Sequence, residues 1–247
     1  MAYNIGDTYV GRSLDLYGEY VEAETAILDQ LLKPGMVALD IGANMGAHTV
    51  YMAKKVGLEG AVAAFEPQRH IFQLLCANVA LNGLMNVHTY HAAVGAENGN
   101  IHVPVVNYEK GGNFGGLSLI DVERGEPVLC HTLDGLNFNR CDVMKVDVEG
   151  MEHEVLVGGA KTIKKFRPVL YMENDRRERA ELLLAHLFEL EYRVYWHLPS
   201  LFNPDNFFQN RDNVFGNLIS RNILCLPRER EINVEKMQEI TDPAVKF

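Results

Sequence analysis

MVALDIG (36–42) is an apolar run that empties into a glycine turn, Asp40-Ile41-Gly42-Ala43-Asn44-Met45-Gly46, and residues 47–56 behind it carry a helical pattern that Gly57 stops. A buried strand that turns on glycines straight into a helix is the first half of a β-α-β unit, and the next segments supply the rest. AVAAFEP (61–67) reads as a second strand, 69–81 as a second helix closed by Asn82-Gly83, and 87–94 as a third strand. Strands that alternate with helices in this way need crossover connections, so the sheet is expected to be parallel with right-handed crossovers. A further helix is expected over 15–33, with Glu19, Glu22 and Glu24 early, Leu28, Leu31 and Leu32 on one face, and Lys33-Pro34-Gly35 as its end.

The rhythm breaks over 98–138. Three short alternating stretches, NIHVPVV, LSLIDV and PVLCHTL, surround KGGNFGG, which suggests an inserted antiparallel hairpin or meander with a mobile tip. The α/β pattern returns with DVMKVDV (142–148), a helix near 151–164, PVLYMEN (168–174), a helix at 177–190, YRVYWH (192–197) and NLISRNILCL (217–226). The long connection 199–216 is expected to act as a lid, with Phe202, Phe207 and Phe208 reading either as an acceptor wall or as core. The expectation is one domain over 1–226 and a polar, peripheral tail over 227–247.

With 247 residues, 47% of them hydrophobic, the chain can bury a core without disulfide staples. The formal charge of −10 argues against a broad nucleic-acid footprint, which needs a basic face. The first twenty residues lack a basic start followed by an apolar run, so they do not read as a signal peptide, and no stretch reaches the length of a membrane span. The four cysteines, at 76, 130, 141 and 225, have neither Cys-x-x-Cys nor zinc spacing. They read as reduced, mostly buried thiols of a cytoplasmic protein.

The turn carries the first chemical signal. Gly42 and Gly46 let a ligand approach the backbone at a helix N-terminus. The spacing is near that of a dinucleotide fingerprint, but Asn44 replaces its second glycine and a pyrophosphate would reach the backbone poorly. Asp40 suits a cationic or hydroxyl-bearing ligand, and Glu66, 24 residues beyond Gly42, can accept both ribose hydroxyls. A nucleoside with positive charge and no phosphate fits, as in S-adenosylmethionine, held by Asp40, Gly42, Ala43, Asn44, Gly46, Glu66 and Pro67. The bland alternative is an ordinary turn with a surface glutamate. The rival enzyme is a nicotinamide-dependent oxidoreductase, against which Asn44 speaks. The other rival is a cofactor-binding module without catalysis.

LDIGANMGAHT, AFEP, HAAVG, TLDGL, MKVDVEGMEHEVLVGG and PVLYMEN resemble, in order, the segments of FkbM-type S-adenosylmethionine-dependent methyltransferases, as does the lead-in YGEYVEAETAILDQLLKPG. The likeness runs over roughly 17–226, and the KVDVEG block with its downstream VLVGG is its most specific part. The resemblance implies a class I, Rossmann-like, seven-stranded α/β methyltransferase fold with the last strand antiparallel. It also implies O-methylation of a hydroxyl on a sugar, polyketide or related small-molecule acceptor. A homo-oligomer is left open.

The strand ends carry the second signal. Lys145, Asp147 and Glu149 alternate along one strand and can share a face. In open α/β sheets, ligands lie beyond the carboxyl ends of strands. Glu173-Asn174 end the next strand, so Asp147, Glu173 and Asn174 are expected together, an oxygen set suited to magnesium and similar to the metal site of catechol-type O-methyltransferases. The plain alternatives are Glu149 as a helix cap and Glu173 paired with Arg176 or Arg177. Lys145 reads as a base or an ion-pair partner, and His153 as facing the acceptor or the helix surface. His48 reads as touching the methionine moiety or as a cap. His91 reads as near the adenine edge or simply buried.

Overall fold

The computed structural model describes residues 1–244. Two helices, α1 (Val10–Tyr17) and α2 (Glu22–Leu31), precede β1 (Val37–Ile41), α3 (Ala47–Val56), β2 (Ala61–Phe65), α4 (Arg69–Leu81) and β3 (Val87–Tyr90). The insertion holds β4 (Ala92–Val94), β5 (Gly99–Val103) and β6 (Glu126–His131). The α/β pattern resumes with β7 (Val143–Val146), α5 (Glu152–Gly158), α6 (Ala160–Phe166), β8 (Val169–Glu173), α7 (Arg177–Glu189), β9 (Tyr192–His197), β10 (Asn222–Pro227) and β11 (Glu239–Ile240).

The main sheet has the order β11-β9-β10-β8-β7-β1-β2-β3. β3, β2, β1, β7 and β8 pair in parallel, and β10 runs antiparallel to both β8 and β9. From β9 to β3 this is the expected seven-stranded arrangement with its last long strand reversed, and β11 adds an eighth strand at the edge. The central strands are apolar on both sides because helices cover both faces. Leu39, Ile41, Met144, Val146, Leu170 and Met172 pack with Leu184 of α7. Ala38, Val62 and Val143 pack with Leu28 of α2 and Met52 and Val56 of α3. Every parallel strand therefore delivers its carboxyl end to the same edge, where the polar residues collect.

Several local expectations are corrected. The helix expected over 15–33 is two helices, because Gly18 (φ 74°) and Val21 (φ 40°) take left-handed conformations that a helix cannot continue through. The strand expected over 87–94 divides at His91 between two sheets. In the insertion only β5 and β6 are antiparallel; β4 joins β6 in parallel, and LSLIDV forms no strand. The helix over 151–164 breaks at Gly158-Gly159, where a Cβ on Gly158 would lie 2.0 Å from the Gly95 carbonyl oxygen. The last long strand starts at Asn222 rather than 217. The polar tail is not wholly peripheral: β11 pairs with β9, and Ile240 is buried in the core; residues 245–247 of that tail lie outside the described residues.

All four cysteines are free thiols, three of them buried. Among the described residues no helix is long and apolar enough to cross a membrane.

Candidate active site

The turn after β1 is shaped by the backbone of β7. Gly42 has φ 82°, and a Cβ there would sit 1.7 Å from the carbonyl oxygen of Asp147. The missing side chain thus admits the end of the neighbouring strand. Asn44 adopts φ 51°, a left-handed conformation that asparagine tolerates better than most residues, which is how it stands in for a glycine. Gly46 has φ 88° and packs against Leu75, and α3 starts immediately after it. Ala43 is buried, its N–H donating to Phe65 O at 2.9 Å.

Glu66, just past β2, is buried and holds the turn from the side. Its Oε2 accepts from Asn44 N at 2.9 Å and its Oε1 from Gln68 N at 2.8 Å. Burial lifts its carboxyl to about 7, against the pull of those two donors. Each carboxylate oxygen can accept twice, so Glu66 keeps room for ribose hydroxyls. Asp40 is fully buried under the turn. Its Oδ2 accepts from Thr49 Oγ1 at 2.6 Å, and its Oδ1 lies 3.8 Å from Lys145 Nζ. Burial raises its pKa, and Lys145 and Thr49 oppose the rise.

A hollow of about 480 Å³ opens beside Glu66, lined by Phe65, Pro67, Val94, Leu117 and Met151 among others. It adjoins a more polar hollow of about 1220 Å³; Gly42, Glu66, Gly115, Asp147 and Glu149 line both, so the two form one cleft. An apolar slot with an acid at a strand end suits a nucleoside.

The polar half holds the acidic cluster. Carboxylate oxygens of Asp147, Glu149 and Glu173 all lie within 4.8 Å of one another. Burial, then Asp147, raises Glu149 to about 8, with Arg176 acting against them. Burial, Asp147 and Glu149 raise Glu173 well above the usual carboxylate range. Arg176 pairs with Glu149 and with Asp175, while Glu173 Oε2 has no hydrogen-bond partner among the described residues. Three oxygens converging with one left unpartnered fit a divalent cation. Glu149 does not cap α5, whose N-terminus has no side-chain cap; Glu152 Oε1 instead accepts from Val148 N and Gly150 N in the loop before the helix.

Three expected site residues are placed differently. Asn174 follows Glu173 but lines a separate small hollow with Gly150, Glu152 and His153, as alternation along a strand requires. His153 faces that hollow too, its ring 5.1 Å from His186, and does not line the cleft. Lys145 is buried, with Nζ 3.0 Å from Asp147 and 3.8 Å from Asp40. Burial alone would lower its pKa, but Asp147, Asp40 and Glu24 outweigh it and raise it, in line with the ion-pair reading of Lys145.

Other residues of the cleft escaped the sequence pattern. Tyr9, Tyr20 and Glu24 line it from the N-terminal segment, and Leu201, Ser220 and Arg221 from the far end of the chain. Burial lifts Glu24 to about 7, Lys145 opposing and Asp147 adding to the rise. The glycine-rich loop lies over the cleft without being a free tip. Thr8 N donates to Gly112 O, Gln68 Nε2 to Phe114 O, and Phe114 is buried against Val10, Met45 and Ile71. In 199–216, Phe202 and Phe215 pack on Tyr17 of α1, whereas Phe207 and Phe208 are exposed, so these last two form neither core nor acceptor wall. His91 stacks on Phe72 with a ring nitrogen 3.0 Å from Pro67 O, a structural placement.

Comparison with known proteins agrees with this architecture. The Methyltransferase FkbM domain matches residues 40–195. AMB antimetabolite synthetase AmbE of Pseudomonas aeruginosa is 26% identical over an alignment that covers 66% of this chain and 10% of AmbE. Among solved structures, the fold is similar to a methyltransferase FkbM from Methylobacillus flagellatus KT, with TM-score 0.51, 15% identity, and coverage of 82% of this chain and 50% of that one. It is also similar to precorrin-6y C5,15-methyltransferase from Geobacter metallireducens GS-15, with TM-score 0.52, 13% identity, and coverage of 83% and 86%. The chain thus spans about a tenth of AmbE and half of the M. flagellatus protein.

Proposed function

The chain belongs to the FkbM methyltransferase family, and from that premise we propose that it transfers the methyl group of S-adenosylmethionine to a hydroxyl of a small acceptor, a sugar, a polyketide or a related metabolite. The observation that carries the reading is the continuity of the cleft: the slot beside Glu66 opens directly onto the carboxylates of Asp147, Glu149 and Glu173. When bound, S-adenosylmethionine supplies an electrophilic methyl group on a positively charged sulfur. Glu66 would accept the ribose hydroxyls, Phe65, Pro67, Val94 and Met151 would exclude water from the purine, and Gly42 would leave the backbone of the turn open to the ligand. Holding acceptor and donor in line supplies on the order of 7–11 kcal/mol of the barrier.

The acceptor proton falls to the acidic cluster. Lys145 pairs with Asp147 and orients it, which leaves Asp147 to take the proton, while Glu149 and Glu173, whose carboxyls are raised and hold protons of their own, position the hydroxyl. The same three side chains would hold a divalent cation such as magnesium, which makes a hydroxyl bound to it more acidic. A net charge of −10 and an acidic cleft support a small acceptor over a nucleic acid. The likeness to a part of AmbE, an antimetabolite synthetase, supports a metabolite acceptor. Free thiols throughout fit a reducing, cytoplasmic setting.

Calorimetry with S-adenosylhomocysteine and with NADH tests the cofactor, and mass spectrometry of a metabolite extract incubated with S-adenosylmethionine tests transfer as a gain of one CH2. Binding of S-adenosylhomocysteine without NADH is expected, and the reverse overturns the reading. Turnover lost in EDTA and restored by magnesium assigns the proton to a metal-bound hydroxyl; turnover indifferent to EDTA assigns it to a carboxylate.

A further inference from the structure

Glu24 lies in the first turn of α2, far in sequence from every strand end that marks the site. It is 5% exposed, yet it lines the polar half of the cleft beside Tyr20 and Asp147. Its Oε1 accepts from Asn222 Nδ2 at 2.8 Å. Asn222 is the antiparallel neighbour of Glu173, so the sheet itself fixes the direction of this carboxylate. Behind it, His48 Nε2 lies 3.7 Å from Glu24 Oε2, is buried, and has no hydrogen-bond partner among the described residues. A protonated His48 would cancel the charge on Glu24. Burial and the Lys145 ammonium keep His48 neutral, pushing its pKa down to about 3. Lys145 contacts Asp147 and Asp40. Glu24 is therefore a buried carboxylate with neutral hydrogen-bond partners, offset only by a Lys145 ammonium that Asp147 and Asp40 already share, and a second cation in the cleft would relieve the charge that remains.

The sheet order indicates which cation reaches it. β1 lies between β2, which leads to Glu66, and β7, which carries Lys145 and Asp147. Glu66, Gly42, Tyr20 and Glu24 line one continuous hollow, so a nucleoside held at Glu66 would have its amino-acid end within that hollow, on the side of Tyr20 and Glu24. Resting on the methyl-donor reading above, we propose that Glu24 binds the α-ammonium of the amino-acid end of S-adenosylmethionine, with Asn222 aiming the carboxylate at it.

The test uses calorimetry on the full chain with three probes. S-adenosylhomocysteine carries the ammonium but no sulfonium, its deamino analogue lacks the ammonium, and 5′-methylthioadenosine lacks the whole amino-acid end. Glu24→Gln should bind S-adenosylhomocysteine about 10- to 100-fold more weakly, the range for a charge-assisted hydrogen bond, and 5′-methylthioadenosine as before. The unaltered protein should lose the same factor on the deamino analogue, a comparison that requires no variant to fold, and Glu24→Gln should no longer distinguish the two homocysteine probes. Unchanged affinity of Glu24→Gln for S-adenosylhomocysteine overturns the contact, as does an equal loss on 5′-methylthioadenosine. Full affinity of the unaltered protein for the deamino analogue overturns it too. Failure of the unaltered protein to bind either S-adenosylhomocysteine or 5′-methylthioadenosine would overturn the methyl-donor reading, and this contact with it.

Discussion

Gly42→Ala separates two reasons for a glycine in the turn. If the glycine serves only the ligand, the substitution weakens cofactor binding and leaves the empty protein as stable as before. The structure gives the opposite order of events. The new Cβ would meet the Asp147 carbonyl oxygen at 1.7 Å, far inside the 3.0 Å that real contacts require, and the obstacle is backbone that cannot rotate away. The turn cannot swing aside either, since Gly42 N and Ala43 N both donate to Phe65 O, at 3.0 and 2.9 Å. The ends of β1 and β7 must part, which endangers the bond from Asp147 N to Ile41 O at 2.9 Å. A left-handed conformation at a residue with a side chain costs about 1–2 kcal/mol, and a hydrogen bond lost at a buried strand end adds about 1–2 more. The total of roughly 2–4 kcal/mol corresponds to a fall of about 5–15 °C in Tm for a chain of this size. Gly83→Ala is the control: its φ is 62°, also left-handed, but nothing lies within 4 Å of its Cβ. It should show only the conformational part. Thermal unfolding without ligand reads both variants. An empty Gly42→Ala protein with the wild-type Tm and a selective loss of S-adenosylhomocysteine affinity would refute the reasoning.

Glu66→Ala should weaken S-adenosylhomocysteine binding about 10- to 100-fold and also lower Tm, because Asn44 N and Gln68 N lose their acceptor; Glu66→Gln, which keeps one acceptor oxygen, should lose less stability, and calorimetry with thermal unfolding checks both. Asp147→Asn should slow methyl transfer while leaving most S-adenosylhomocysteine affinity in place; wild-type turnover by this variant would remove Asp147 from the chemistry. The ligand-free protein should become less stable between pH 6.5 and 8 by roughly 1–3 kcal/mol, read by urea unfolding. Glu24, Glu66 and Glu152 sit at about 7 and Glu149 at about 8, so the folded chain holds protons that the unfolded chain has already released, and their stabilisation is lost as pH rises through those values. His48, at about 3, and His186 and His197, which burial also lowers, act in the opposite sense, but their effect fades as pH passes the ordinary histidine value of 6.5, so the acids dominate this window, and a rise in stability across it would contradict them.

What was legible in the sequence was what a few neighbouring residues decide. The run into Gly42, the acid after β2 and the acids after β7 are local patterns, and the parallel order of the sheet carries them to one edge. Glu173 and Asn174 are adjacent in sequence, yet alternation along the chain sends Glu173 into the cleft and Asn174 out of it. The break at residues 18–21 takes left-handed backbone at Gly18 and again at Val21, and a valine's side chain does not announce such a conformation. Glu24 and Asn222 are 198 residues apart, and no periodicity links them. Lys145 shows most clearly why charge state was hidden. Beside a lone aspartate it could trade protons, but Asp40, Asp147 and Glu24 reach it from three separate segments and hold its proton in place. One ammonium among three acids also leaves negative charge over at the floor of the cleft, and a donor that carries its methyl group on a positively charged sulfur is the kind of molecule that excess attracts.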